Sequence, residues 1–399
     1  MAFRIDAARA AYPALAEGFA HFDAAAGSLV ARPASDAAHA VMTGAVSNMS
    51  TAFAPGRRSL QIVDDARAAV ADLLGAPPEG VAFGNSATSL TYLVSRTLAQ
   101  TWRPGDEIVV SDLDHDANVR PWVQAAAAAG ITVRWARFDP ADGSLPADQY
   151  PALLSERTRL VALTAASNAN GAIPDVARVS SLAHEVGALC YVDGVHATPH
   201  LPIDVAALGA DFYVTSAYKW SGPHLAACAA DPRTWERLEP ERLKPSSDVV
   251  PERFEFGTPS FASLAAVTGA VDHLASLDDA ATGSRRERLI QSMTAVHAYE
   301  MELFAKLVSG LSAVPGISFV PAPQNRCPTV AFRIDGEDPA KTSARLGDAG
   351  VCAFSGDYYA YEFFSALGLR DSGGAVRTSI YHYTTEQDVD RLLAVLLAR

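Results

Sequence analysis

Short apolar runs alternate with helix-patterned stretches along most of this chain, and that alternation restricts its architecture more than any other feature. The runs fall at Val81–Gly84, Glu107–Ser111, Thr132–Phe138, Thr158–Ala165, Ala188–Asp193, Ala210–Ser216 and Leu225–Ala230. Helical patterning fills several of the gaps, at Ser89–Thr101, Val119–Ala129 and Val176–Val186. Strands apolar on both faces need cover on both faces. The pattern therefore predicts an α/β fold, with a mostly parallel seven-stranded sheet between helices.

From about Asp272 the pattern changes. A long helical region, Arg285–Leu311, leads to strands at Ile317–Val320, Thr329–Ile334 and Val376–Tyr381, then to a last helix from Glu386. This predicts a smaller α+β domain at 272–399, a large domain at 21–271, and an N-terminal segment, 1–20, packed with the small domain.

With 399 residues, 49% hydrophobic and 19% charged, the chain is long and apolar enough for two such cores. A formal net charge of −13 argues against binding nucleic acid or an anionic membrane surface. No apolar run is long enough to span a bilayer, and Met1-Ala2-Phe3-Arg4-Ile5-Asp6 has no apolar signal core, so a cytoplasmic protein is expected. Cys190, Cys228, Cys327 and Cys352 form no CxxC and read as reduced thiols. No metal is expected, because nothing supports the acidic stretch around His115 as a ligand set.

Two charges stand where a fold would not casually bury them. Asp193 ends the run Leu189-Cys190-Tyr191-Val192, and Lys219 follows one helix-and-strand unit later, between Ser216-Ala217-Tyr218 and Trp220-Ser221-Gly222-Pro223. Pyridoxal phosphate (PLP) chemistry needs such a pair. The amine forms a Schiff base with the cofactor aldehyde, and the carboxylate keeps the pyridine nitrogen protonated so that the ring accepts carbanion electrons. The turn Phe83-Gly84-Asn85-Ser86-Ala87-Thr88-Ser89 ends a strand and opens a helix, as a phosphate cradle should. There Ser86, Ala87 and Thr88 offer amides and Thr88 a hydroxyl, while Ser216 and Tyr218 are placed to reach the same phosphate. His115 suits stacking on the pyridine face, and Asn168 and His196 suit hydrogen bonds to the phenolic oxygen.

Together these segments resemble the class V aminotransferase family of fold-type I PLP enzymes, in its cysteine desulfurase / selenocysteine lyase group, almost end to end. The resemblance is carried by Ser86–Thr88, Asp114-His115-Asp116-Ala117-Asn118 with Pro121-Trp122, Ser167-Asn168 and Val192-Asp193-Gly194. Asp211-Phe212-Tyr213 with Ser216 and Lys219, Gly222-Pro223, Gly257-Thr258-Pro259 and Arg377-Thr378-Ser379 extend it. It implies that Lys219 is the Schiff-base lysine, Asp193 the pyridine partner and His115 the stacking group. Thr88 and Ser216 would bind phosphate, with Asn168 and His196 flanking the phenolic oxygen. Thr258 would reach the phosphate of the other subunit's cofactor, which implies a homodimer with shared active sites.

The resemblance fails at one loop. Cysteine desulfurases carry there a nucleophilic cysteine that takes sulfur as a persulfide, whereas Phe354-Ser355-Gly356-Asp357-Tyr358-Tyr359-Ala360 sets Tyr359 at about that position. Cys352, in Gly350-Val351-Cys352-Ala353-Phe354, reads as a strand cysteine. The loop resembles a cysteine desulfurase-like subgroup without the persulfide cysteine. Arg377 remains, able to hold an α-carboxylate in a bidentate pair, so the expected substrate is a small amino acid. The leading expectation is C–S β-lyase chemistry without a catalytic cysteine, Tyr358 or Tyr359 serving the leaving group. An aminotransferase or amino-acid epimerase is the alternative within the family. A catalytically silent PLP-binding partner protein is the alternative outside enzymes.

Overall fold

The computed structural model of the chain describes residues 3–398. Met1 and Ala2 of the expected N-terminal segment, and Arg399 at the end of the expected small domain, lie outside the described residues. In chain order the first strands are β1 (Ala20–His21), β2 (Val81–Gly84), β3 (Glu107–Ser111), β4 (Thr132–Ala136), β5 (Thr158–Thr164), β6 (Leu189–Asp193), β7 (Phe212–Ser216) and β8 (Ala226–Ala230). Those from β2 to β8 form a seven-stranded sheet in the order β2-β8-β7-β6-β5-β3-β4. Pairing is parallel from β7 through β6, β5 and β3 to β4, and antiparallel where β8 meets β7 and β2. The reversal of β8 leaves β2 running with the others. The carboxyl ends of β2, β3, β5, β6 and β7 thus open on one edge, where α/β sheets hold their ligands.

Central strands are buried along their whole length, which is why they read as unbroken apolar runs. β4 lies at the edge and is only partly covered. It also stops short of the predicted Phe138, because the Phe138 amide leaves the ladder to donate to the Asp112 carboxylate at 2.8 Å. The helix after β2 starts at Ala87, earlier than predicted: the Ser86 side chain accepts the Ser89 amide and closes a capping box. The sequence reading named no helix at Arg32–Thr43, Ala54–Leu74, Phe261–Ala275 or Pro339–Asp348. The first packs against helix Phe261–Ala275 at Gly269, where a Cβ would sit 2.5 Å from the Pro33 carbonyl oxygen.

The remaining strands are β9 (Ile317–Phe319), β10 (Thr329–Ile334), β11 (Val351–Cys352), β12 (Phe354–Gly356) and β13 (Ala375–Ser379). An antiparallel sheet of order β12-β13-β10-β9 packs on helices Arg285–Ser312 and Glu386–Leu397 through Leu303, Leu307, Phe332, Leu392 and Leu396. β1 pairs in parallel with β11, so the chain near its N-terminus joins this smaller unit before entering the larger one.

Candidate active site

Asp193 is the last residue of β6 and is buried, its Oδ1 accepting the Val195 amide at 2.9 Å. Removal from water pushes its carboxyl up to about 6, against the bond from Val195 and the attraction of Lys219. The next residue must be glycine, because a Cβ on Gly194 would stand 1.9 Å from Cζ of Tyr213. Lys219 ends a short turn, Ala217–Lys219, that leaves β7. It is 7% exposed, and its Nζ donates to the Ala25 carbonyl and lies 5.5 Å from the centre of the Tyr218 ring. Burial, then the Arg377 charge, push the amine down to about 7, opposed by Asp193. A lysine so placed is far more available as the neutral nucleophile than an exposed one.

A small cavity of about 80 Å³ joins these two residues to most of the predicted set. Ser86, Ala87 and Thr88 line it at the start of helix Ala87–Ala99, whose amides and dipole favour an anion. Ser216 and Tyr218 line it from the lysine side, and Asn168 and His196 from the loops after β5 and β6. Two of these side chains hold buried polar atoms with no partner among the described residues, Asn168 Oδ1 and His196 Nδ1. Their other polar atoms are committed: Asn168 Nδ2 donates to the Tyr358 carbonyl at 2.8 Å, and His196 Nε2 pairs with the Thr329 hydroxyl at 3.0 Å. A buried lysine, a buried carboxylate, a helix start and two unsatisfied polar atoms around one space fit a phosphorylated pyridine aldehyde.

His115 opens the loop after β3, its Nδ1 accepting the Ala117 amide at 3.0 Å, which fixes the proton on Nε2. Burial, then the Lys219 and Arg377 charges, hold this imidazole down at about 3, so it is neutral. The loop is anchored from below by Asp114, which accepts from the Ser111 hydroxyl and, at 2.7 Å, from the Asn118 amide. Burial raises that carboxyl to about 8.

The small cavity opens into a larger one of about 760 Å³. Arg377, on β13, lines it with the guanidinium 4.3 Å over the Tyr358 ring and one nitrogen donating to the Asn168 carbonyl at 2.6 Å. Burial lowers this arginine to about 10. Tyr359 closes the rim, 71% exposed, its ring stacked on His115 at 5.5 Å and 21°. Tyr358 and Tyr359 adopt φ of 52° and 61°, a left-handed conformation uncommon for bulky residues and concentrated at functional sites. The Tyr358 hydroxyl donates to the Ala375 carbonyl and so tethers the loop to β13.

Cys352 sits on β11 and lines neither cavity, and partial burial raises its thiol above the ordinary value. Cys190, Cys228 and Cys327 are fully buried, and burial raises their thiols too. Thr258 is the exception among the predicted cofactor residues: its own chain places it in a separate recess with Gly84, Asn85 and Ser89. Ala25, Tyr92 and Arg120 also line the large cavity, and the sequence reading named none of them. Tyr92 had a signal, since it stands one helical turn beyond Thr88. Ala25 acts through its carbonyl and carries no signal. Among the described residues no cluster of His, Cys, Asp or Glu is arranged for a metal ion, and no helix is long and apolar enough to cross a membrane.

The Aminotransferase class-V family profile matches residues 20–392, so the chain belongs to the class V aminotransferase family. It is a PLP-dependent enzyme of fold-type I, of cysteine desulfurase-like kind. The uncharacterized Mycobacterium tuberculosis protein MT3887 is 34% identical over 99% of both chains. A probable cysteine desulfurase of Pseudomonas aeruginosa is 31% identical, covering 97% of this chain and 96% of its own. The crystal structure of the Escherichia coli cysteine desulfurase CsdA superposes with a TM-score of 0.88 at 26% identity, covering 99% of this chain and 98% of that one.

Proposed function

We propose that this enzyme cleaves the C–S bond of a cysteine derivative by β-elimination, without a cysteine nucleophile. The observation that carries the reading is the rim: Tyr359 stacks on His115 at the cavity mouth, while Cys352 is outside both cavities. PLP, when bound, supplies an electron sink for the carbanion at Cα.

The protein's own groups do the rest. Lys219 would hold the cofactor aldehyde and, once the substrate amine has taken its place there, its freed amine would take up the α-proton. Asp193, as the carboxylate, keeps the pyridine nitrogen charged. The neutral His115 ring would stack against the pyridine, His196 would donate from its unsatisfied Nδ1 to the phenolic oxygen, and Asn168 would flank the same oxygen. The amides of Ala87 and Thr88, with the Ser216 hydroxyl, take the phosphate. Arg377 would bind the α-carboxylate and so fix the orientation of the substrate in the cavity. The electron pair of the Cα–H bond forms the Cα=Cβ bond, the C–S pair leaves on sulfur, Tyr359 donates the proton that sulfur takes up, and solvent, which reaches the exposed phenol, returns a proton to it. Hydrolysis of the enamine product yields pyruvate and ammonia. Thr258 completes the phosphate site of a second copy of the chain, in a homodimer with shared sites.

The test offers cysteine, cystine, S-substituted cysteines and common amino donors, and reads sulfide or thiol, pyruvate, ammonia and pyridoxamine phosphate together. Elimination gives equal amounts of thiol or persulfide, pyruvate and ammonia. Accumulating pyridoxamine phosphate would mark an aminotransferase, and inversion at Cα without products an epimerase. A cofactor band with no turnover of any of these compounds would mark a silent PLP-binding partner.

A further inference from the structure

The turn that carries Lys219 ends on Ser221, whose φ of 67° is left-handed although it is not glycine. Such a conformation is strained for a residue with a side chain and persists only when its surroundings over-determine it. They do so here from three sides. The Ser221 amide donates to the Ser28 hydroxyl at 2.8 Å, and the Ser221 carbonyl accepts the Ala31 amide at 3.0 Å. The Ser221 hydroxyl meets the Tyr12 hydroxyl at 2.6 Å and the Tyr381 hydroxyl at 3.1 Å. Tyr381 then donates to the carbonyl of Lys219 itself at 3.2 Å. Tyr12 is held in turn by His382 at 2.6 Å and His273 at 3.0 Å. Tyr12, Ser221, Tyr381 and His382 are all buried. Nothing in the elimination chemistry uses these hydroxyls, so an expensive buried polar junction directly behind the lysine calls for another role.

We propose that Tyr381 is a positioning residue for Lys219: its hydroxyl, shared between the Lys219 carbonyl and the Ser221 hydroxyl, locks the turn that aims the lysine into the cofactor cavity. Tyr381 follows β13, the strand that carries Arg377, by two residues. The same stretch of chain therefore sets the posture of the lysine and the seat for the substrate carboxylate. The inference rests on Lys219 being the cofactor lysine.

Tyr381→Phe removes the hydroxyl and keeps the ring, which packs on His382 at 4.2 Å and Tyr383 at 4.7 Å. Tyr383→Phe is the control, an equally buried neighbour whose hydroxyl accepts the Leu29 amide and touches neither Lys219 nor Ser221. The primary readout is the pH at which the cofactor band of the resting holoenzyme titrates, without substrate. Asp193, Arg377, His115 and Tyr218 face the lysine, and both variants leave them in place. Burial and the Arg377 charge disfavour a protonated nitrogen at Lys219, so a turn freed to relax should raise the midpoint, by half a unit or more on the order of one lost buried hydrogen bond. Turnover should fall about tenfold in kcat with KM changed less than about twofold.

An unmoved or lowered midpoint in Tyr381→Phe, or an equal rise in Tyr383→Phe, overturns the proposal. If Tyr381→Phe fails to fold, Ser221→Gly decides the matter: glycine accepts the positive φ and removes one of the two partners of the Tyr381 hydroxyl, so a smaller rise in the same direction is expected, and an unmoved midpoint overturns the lock. Lys219→Ala is measured beside them. Retention of a borohydride-reducible cofactor linkage there would overturn the assignment of the lysine, whereas its loss with unmoved midpoints would overturn the lock alone.

Discussion

The floor of the active site and its rim are built by opposite rules. Asp193 and Lys219 are buried at the ends of neighbouring parallel strands, and each is fixed by backbone groups. Tyr358 and Tyr359 come from a loop between β12 and a helix of the smaller unit, both left-handed, one of them mostly exposed. At the floor a substitution must answer to packing and to the cost of burying charge. At the rim it answers only to whatever substrate lies beneath. The floor carries the groups proposed to hold the cofactor and the rim those proposed to act on the leaving group, a division by which a family can share a cofactor site and differ in reaction.

The comparison breaks most directly at the lysine. Lys219→Ala should lower turnover by at least about 10³-fold and leave no borohydride-trapped cofactor on the protein, read by mass spectrometry of the digested chain. A cofactor trapped on another lysine would move the floor elsewhere. Asp193→Asn keeps shape and removes charge, and a loss on the order of 10²-fold is expected. Turnover near that of the parent would make the carboxylate merely structural. Cofactor capture by the apoprotein sharpens the electrostatic side. The neutral amine is the form that reacts, and Lys219 is held down at about 7. The capture rate should thus climb about tenfold per pH unit below that value and level off above it, instead of climbing to the ordinary lysine range. Stopped-flow absorbance follows it directly.

Rim changes should be milder. Tyr359→Phe should slow elimination by no more than about tenfold, less than general acids usually contribute, because a thiolate leaves readily unaided. The slowing should shrink as the leaving thiol becomes more acidic, and a rate independent of the thiol would remove Tyr359 from the proton-donor role. Cys352→Ala should change turnover by less than about twofold, since its thiol is raised and away from the cavities. A persulfide trapped on Cys352, with activity lost in the alanine variant, would restore a relocated desulfurase nucleophile.

Much of the floor was legible in the sequence because it is written in short segments. Strand-end Asp193, the Ser86–Thr88 turn and the Lys219 turn each carry their own local signal, and the seven apolar runs became the seven strands of the sheet. The unread helices lacked such a signal. In Ala54–Leu74 the buried face mixes Gly56, Ser59 and Arg67 with Val63, Val70 and Leu74, and Arg67 is buried by a fork onto Glu255 at 2.8 Å. A polar or charged residue on the buried face blurs the apolar period, and the partner that makes burial of Arg67 tolerable is far away in the chain. The Ala25 carbonyl on Lys219 was illegible for the same reason, since its meaning lies wholly in a residue 194 positions away.

The pairing of β1 with β11 makes one wall of the lysine's pocket a contact between distant parts of the chain. The Ala25 carbonyl receives Lys219 Nζ, while the Ala25 amide donates to the Ser379 hydroxyl at 2.9 Å across 354 positions, and the Ser379 amide donates to the Phe22 carbonyl at 2.9 Å. Contacts of such long sequence separation are slow to form, because the loop between them must close first. The enclosure that holds Lys219 down at about 7 therefore belongs to the fully packed chain and not to any local segment of it.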